Sequence, residues 1–319
     1  MKRKARFDEL EAMVKAAELY YISGLNQGEI AKILGVSRQK AFRLIKKARE
    51  LGLVEIKIRR PAEADQALAQ KIKEKYSLED VVVARVYSEV PENVIKAIAQ
   101  AGADYIKGKL VPYISVGVAY GRTLYEVIRY LPRLELPGVR VVQMMGAYGG
   151  VKWKTLAIEL LKNFADKLGG EAVYLFAPAF AGNSAIREAF LKEVGVRETL
   201  RMAEEVDVAL VGIGGIRSET SLLIETGDLR EEEIRELTEK GAVGGICGNF
   251  FDIRGCLLDV SFNARRISVR LERLKEGNRK VIAIAGGKEK KEAILGALRG
   301  QWITTLVTDE ATGRWLLEH

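Results

Sequence analysis

Seven short apolar runs recur beyond residue 77: VVVARV (81–86), YISVGV (113–118), VRVVQMM (139–145), AVYLFA (172–177), VDVALVGIG (206–214), VIAIAG (281–286) and TTLVT (304–308). None alternates apolar with polar, as a strand with one wet face would. Helical patterns lie between most of them, at 92–109, 122–131, 155–168 and 288–298. Continuous apolar strands separated by amphipathic helices restrict this part of the chain to an α/β fold whose parallel sheet is covered on both faces. Ligands of such sheets sit beyond the carboxyl ends of the strands. There is no internal repeat and no low-complexity segment.

The N-terminal part obeys a different pattern. In NQGEIAKILGVSRQKAFRLIKKAR (26–49), Asn26 and Glu29 have the spacing of a capping box, so a helix begins at 27 and buries Ile30, Ala31 and Leu34. Gly35 supplies the permissive backbone of a turn. Ser37 caps a second helix, in which Ala41, Leu44, Ile45, Ala48 and Leu51 form one apolar stripe. Arg38, Gln39, Lys40, Arg43, Lys46 and Lys47 are left on the outside. A preceding amphipathic helix, roughly 8–22, offers Leu10, Met13, Val14, Ala17 and Tyr21 as the third wall of a trihelical core. This is the pattern of a helix-turn-helix DNA reader. Arg pairs bidentately with guanine and Gln with adenine, while Lys46, Lys47 and the helix N-terminus beginning at Ser37 suit phosphates. The alternating VEIKIR (54–59) reads as a strand, a possible wing.

Charge supports the same division. Residues 1–60 hold 15 of the 51 Lys and Arg and 7 of the 43 Asp and Glu, so the whole net charge of +8 lies there and the remainder is neutral. Clustered positive charge is the footprint of phosphate binding. The basic start lacks the apolar core and cleavage site of a secretion signal, and no run is long enough to cross a bilayer, so a cytoplasmic protein is expected. Cys247 and Cys256 have neither zinc-ribbon nor disulfide-framework spacing; no metal and no cofactor is expected. The single histidine is His319, which leaves pocket chemistry without an imidazole.

Polar residues and glycines gather where strands end. GVAYGRTLYEVI (117–128) passes through two glycines into a helix at about Arg122, whose guanidinium and backbone donors can hold a phosphate or carboxylate with help from the Thr123 hydroxyl. Three residues rather than four separate its glycines, and Arg replaces Lys, so it is not a nucleotide P-loop. GIGGIR (212–217) has Arg217 where a dinucleotide fingerprint needs its last glycine; a tight turn explains it equally well. AGGKEKKEAI (285–294) places Lys288, Lys290 and Lys291 at a helix start, where one faces an anion or all form a solvated run. Asp252, in GNFFDIRG, is either an acceptor for sugar hydroxyls or a turn residue.

Taken in order, these segments resemble the SorC/DeoR-type sugar-responsive transcriptional regulators over nearly the whole chain. The resemblance rests on QGEIAKILGVSRQKAFRLIKKARELGLVEIKI (27–58), VGVAYGRTL (116–124), VVQMMGAYGG (141–150), VALVGIGG (208–215), GAVGGICGNFFDIRG (241–255), AGGKEKKEAI (285–294) and VTDEAT (307–312). It implies an N-terminal all-α helix-turn-helix domain, here 1–60, a connector helix over 61–76, and an effector and oligomerisation domain over 77–319. That last domain would be Rossmann-like, similar to glucosamine-6-phosphate deaminase and ribose-5-phosphate isomerase. The resemblance also implies dimers or tetramers, operator DNA as partner, and a sugar or sugar phosphate at the sheet's carboxyl edge. Matched by motif, the anion-holding loop is Gly121, Arg122 and Thr123, the neighbouring strand-end glycine Gly146, the hydroxyl-accepting acid Asp252 and the lysine Lys290. A sugar-phosphate isomerase or deaminase with a basic appendage is the alternative, but it gives the DNA-reading segment nothing to do.

Overall fold

The computed structural model describes residues 2–54, 63–87, 90–149, 151–216 and 222–319, and the chain divides into two compact units, Met1–Pro61 and Ala62–His319. Among the described residues the first unit is three helices, α1 (Lys2–Tyr21), α2 (Gln27–Leu34) and α3 (Arg38–Glu50). Their core is Met13, Ala16, Ala17, Ile30, Ala31, Ala41, Leu44, Ile45 and Ala48. Five of these nine are alanines, so the helices meet closely over small side chains. That closeness corrects the expected seam of α1: Leu10, Val14 and Tyr21 are exposed, and Ala16 is fully buried instead. Leu51 also lies outside the core, exposed at the end of α3 where the helix stops at its C-cap. The expected wing strand lies outside the described residues.

The second unit opens with α4 (Glu63–Tyr76), whose Leu68 and Ile72 are buried, in the place expected of the connector. Among the described residues ten strands follow: β1 (Asp80–Ala84), β2 (Ser115–Val118), β3 (Arg140–Gln143), β4 (Glu171–Val173), β5 (Val208–Val211), β6 (Gly214–Gly215), β7 (Ala242–Ile246), β8 (Asn249–Asp252), β9 (Lys280–Ile284) and β10 (Thr305–Asp309). The helices among and after them are α5 (Pro91–Lys107), α6 (Arg122–Tyr130), α7 (Val151–Leu168), α8 (Ser184–Lys192), α9 (Val194–Glu204), α10 (Leu222–Glu225), α11 (Glu231–Glu239), α12 (Leu271–Glu276), α13 (Lys291–Arg299) and α14 (Glu310–Glu318).

Each of the seven apolar runs supplies one strand of a seven-stranded sheet in the order β1-β10-β9-β5-β2-β3-β4, with every pairing parallel. Six of them repeat the doubly wound order of dinucleotide-binding folds: β4-β3-β2 grows one way and β5-β9-β10 the other, so the direction reverses between β2 and β5. Right-handed crossovers then put α5, α6 and α7 on one face and α9 and α13 on the other, where α14, after the last strand, packs beside α13 and α4. With both faces covered, the residues of β5 are all buried.

Composition hid a second sheet. Strands β6-β7-β8 are antiparallel and lie against α13, and a Cβ at Gly244 of β7 would come 2.4 Å from the Cβ of Ala293. The sheet can approach the helix only because that position is glycine, and glycine-rich stretches do not register as apolar runs. A buried ion pair ties down this side of the unit. Arg265 donates from Nε to Glu233 at 2.6 Å and from a terminal nitrogen at 2.5 Å, and Glu233 also accepts from the Arg230 amide. Arg265 donates further to the carbonyls of Asp228 and Ala181, so the pair is extensively hydrogen-bonded as well as charge-matched.

Candidate functional sites

The exposed start of α3 is set by caps. Asn26 accepts from the amides of Gly28 and Glu29 at 2.9 and 3.2 Å while Glu29 accepts from Asn26 N at 2.8 Å, completing the capping box of α2. Gly35 ends α2 at φ 62°, a left-handed conformation natural to glycine, and Ser37 Oγ accepts from Lys40 N at 3.2 Å to begin α3. Ser37, Arg38, Gln39, Lys40, Arg43, Lys46 and Lys47 are all exposed, as a groove-entering face requires. Two of the cations have intramolecular partners: Lys47 pairs with Glu9 at 3.0 Å and Lys46 with Glu50 at 3.7 Å. Both pairs are on the surface, where such contacts are weak and exchangeable for phosphate. The sequence reading passed over Phe42, which is 49% exposed between Gln39 and Lys46 on the same face. An exposed Phe in that company is placed for apolar contact with a thymine methyl.

At the carboxyl edge of the parallel sheet, β2 leads through Gly121 into α6, which has no side-chain N-cap; Thr123 is buried in its first turn and Arg122 is exposed. Beyond β9 the chain turns at Gly286 and Gly287 and passes through a single 3-10 turn, Lys288–Lys290, into α13. Strand β5 lies between β2 and β9, and its 212–216 exit reaches the same turn, with the Cβ site of Gly215 3.3 Å from the Glu289 carbonyl. Lys290 is half-buried, and its ammonium is pushed down to about 8, first by burial and then by the Arg122 guanidinium, with Glu289 acting the other way. Two cations from strands on either side of the topological switch therefore feel one another. Lys288 is exposed, whereas Lys290 and Lys291 are both half-buried; Lys291 lies over the Trp315 ring at 5.9 Å, and Lys290 is the one that feels Arg122.

The other two expected residues have structural reasons of their own. A Cβ on Gly146 would lie 2.2 Å from the Pro178 carbonyl oxygen, and its N–H already donates to Ile267 O. It is glycine because another segment crosses it. Asp252 is bonded within its own turn. Its carboxylate accepts from the amides of Arg254 and Cys256, both at 2.9 Å, and from Arg254 Nε at 3.0 Å. Burial works to raise this carboxyl, but these bonds and the Arg254 charge outweigh it and hold the group below its ordinary range. The following turn packs on the C-terminal end of α13, where Gly255 O accepts from Trp302 Nε1 at 2.8 Å and Ile253 O from Arg299. Asp252 itself lies against the middle of that helix, its carbonyl oxygen 2.7 Å from the Cβ site of Gly296, six residues on from Lys290. Its bonds are those of a turn residue.

What sequence reasoning missed is a largely buried aromatic cluster beside Gly121. Tyr120, just before Gly121, lies 6.1 Å from Tyr148 beyond β3, and Tyr148 lies 6.3 Å from Phe180. Burial, with Cys247 and Asp228 nearby, drives the Tyr148 hydroxyl far above its usual range, so it remains a neutral group. Asp228 accepts from Gly149 N at 3.0 and 2.9 Å. Tyrosines in GVAYG and GAYGG were visible in the sequence, but only strand adjacency pairs them. Among the described residues no group of His, Cys, Asp and Glu could hold a metal ion, and no helix is long and apolar enough to cross a membrane.

Comparison with known proteins decides the family. The model of the Sugar-bind family, described as "Putative sugar-binding domain", matches residues 60–318. The chain is 32% identical over 312 residues to the deoxyribonucleoside regulator of Bacillus subtilis (strain 168), covering 97% of this chain and 98% of that one. It is also 32% identical over 315 residues to the sorbitol operon regulator of Klebsiella pneumoniae, covering 98% and 99%. The chain belongs to the SorC family of sugar-binding transcriptional regulators. Its fold agrees with the crystal structure of full-length SorC from Klebsiella pneumoniae, with a TM-score of 0.74 at 32% identity over 96% of this chain and 97% of that one. For this SorC-family chain the α/β fold with a helical N-terminal region is therefore established, and so is its class as an effector-controlled transcriptional regulator.

Proposed function

We propose that the chain binds operator DNA through α3 as a symmetric oligomer, and that a phosphorylated sugar held between Arg122 and Lys290 sets its operator affinity. The supporting observation is the meeting of these two cations at the strand-order reversal, close enough for Arg122 to depress Lys290. A bound anion would add to Glu289 in offsetting the repulsion between the two like charges. The N-terminus of α6, the Gly121 backbone and the Thr123 hydroxyl add the donors that a phosphate takes at a helix start. The sugar would then lie near Tyr120, which is half-buried just before Gly121. Gly146 takes part by letting the 177–178 segment cross it closely, and Asp252 is the acid proposed to accept from the sugar hydroxyls.

At the other end of the chain, Arg38, Gln39, Phe42 and Arg43 read base edges, while Ser37, Lys40, Lys46 and Lys47 line up with phosphates. Residues 1–60 are the DNA-binding domain, 61–76 the connector and 77–319 the effector and oligomerisation domain. A ligand that favours one arrangement of the readers changes operator affinity by their coupling free energy, typically ~1–3 kcal/mol. The protein is not an enzyme in this reading: its single histidine ends the chain with its ring stacked on Trp315 at 4.0 Å, and the relatives above carry the names of regulators. Its place of action is the cytoplasm, where its DNA is.

The test selects binding sites for the full-length protein from randomised duplex DNA and then screens sugars and sugar phosphates by thermal shift. A two-fold or repeated half-site motif that disappears when residues 1–60 are removed supports the reader. Tight binding of an unphosphorylated sugar, with its phosphate inactive, defeats the phosphate claim.

A further inference from the structure

Asp309 ends β10 and caps α14, yet its carboxylate also reaches across to the turn that carries Lys290. Oδ1 accepts from Thr312 N at 2.9 Å, the bond of an ordinary helix cap. Oδ2 accepts from Gly287 N at 2.6 Å and from the Thr312 hydroxyl at 2.7 Å, and that hydroxyl accepts a second, longer bond from Gly287 N at 3.2 Å. Asp309 is 3% exposed and Thr312 fully buried. The fit leaves no room for change beside it: a Cβ on Gly286 would lie 2.4 Å from Oδ2. Gly287 O in turn accepts from Lys290 N at 3.0 Å, so the bonded chain runs from Asp309 to the lysine itself.

The same helix is fastened at its far end to the connector. Leu316 O accepts from Tyr76 Oη at 2.7 Å and from Lys75 Nζ at 3.1 Å, and Leu317 O accepts from Lys75 Nζ at 3.0 Å. Between the two ends, Gly313 lets α4 approach so closely that a Cβ there would sit 3.0 Å from Ile72 Cδ1 and 3.3 Å from Leu68 Cδ2. A cap that merely started α14 would need only the Oδ1 bond. The second oxygen makes one buried carboxylate the joint between the Lys290 turn and a nine-residue helix gripped by α4.

We propose that Asp309 is a positioning residue that holds the Gly286–Lys290 turn in its anion-receiving conformation and transmits the state of that turn through α14 to α4. The anion half of this rests on the reading of Arg122 and Lys290 above. The discriminating variant is Asp309→Asn: an Asn oxygen can keep the Thr312 cap, but its amide nitrogen then faces the Gly287 N–H, donor against donor. Thr312→Val, which removes only the hydroxyl, is the milder companion should Asp309→Asn fail to fold.

Hydrogen exchange of the full-length protein, with and without inorganic phosphate as probe, reads the outcome. Expected in either variant is exchange at least tenfold faster in residues 286–290 and at least fivefold weaker phosphate binding. In the wild type, phosphate slows exchange in 310–318 and 66–76; in the variants that remote protection is lost. Unchanged exchange at 286–290 in both variants overturns the proposal. If the turn loosens while phosphate binding responds neither to Arg122→Ala nor to Asp309→Asn, Asp309 still holds the turn and it is the phosphate reading that falls.

Discussion

Lys290 and Asp252 are each a charged residue in a glycine-rich stretch, yet their surroundings give them opposite fates. Lys290 is brought against another cation, whereas Asp252 satisfies its carboxylate within four residues of itself. The lysine therefore carries a pH signature. Below about 8 it is charged, as the proposed anion site requires; as pH rises through about 8 the unliganded site loses that charge. Affinity for a phosphorylated ligand should accordingly begin to fall above about pH 8 and should lose this dependence in Lys290→Ala, which calorimetric titration across pH 6–10 would measure. Arg122→Ala should abolish the ligand response and leave ligand-free operator binding nearly unchanged. In the reader, Arg38→Ala or Gln39→Ala should relax base preference by roughly 1–3 kcal/mol at particular positions. Lys47→Ala should instead weaken binding to all sequences and flatten its salt dependence, since Lys47 contacts phosphate once it leaves Glu9. Anisotropy titrations against single-base variants of the selected site, at several salt concentrations, separate these outcomes.

At the level of elements, local chemistry was easily legible where one residue acts on its near neighbours. The capping box of α2, the Ser37 cap of α3 and the turn at Gly35 could all be read from residue type and spacing, because each bond spans three residues or fewer. The α1 seam was misread because helical spacing alone admitted two stripes, and contact with α2 and α3 chose the one containing Ala16. Likewise β6, β7 and β8 escaped notice because their residues earn their place by being small. The long-range links make the largest mutational effects. Glu233→Ala leaves the buried Arg265 without its carboxylate and should destabilise the protein by about 3–5 kcal/mol in denaturant unfolding. The Arg265 and Arg230 interactions hold the Glu233 carboxyl below its ordinary value against the opposing effect of burial. Their stabilisation is thus present above the unfolded-state pKa, about 4.3, and lost as pH falls through the lower folded-state value. Wild-type stability should therefore decline below about pH 4.5, and Glu233→Gln should show a shallower decline.

For the whole molecule, charge and symmetry lead to a further expectation. A neutral effector unit has little long-range repulsion against self-association, and a single α3 offers few base contacts, so specificity requires paired readers. The second unit, residues 62–319, should sediment as a dimer or tetramer at micromolar concentration, and a monomer would refute this. The full-length protein should show no enzyme-like turnover of aldose phosphates in a coupled isomerase assay.

The sequence by itself determined the two-part organisation, the seven strands of the parallel sheet and the kind of residue gathered at its carboxyl edge. Apolar periodicity and capping act over one or two turns of chain, and motif order carries the family. Strand order, by contrast, is a matter of which distant segments bury one another, and only the tertiary structure settled it. That order set Arg122 against Lys290, laid Asp252 against the middle of α13, and brought Tyr120 near Tyr148. It also gave the second oxygen of Asp309 its partner, 22 residues away at Gly287.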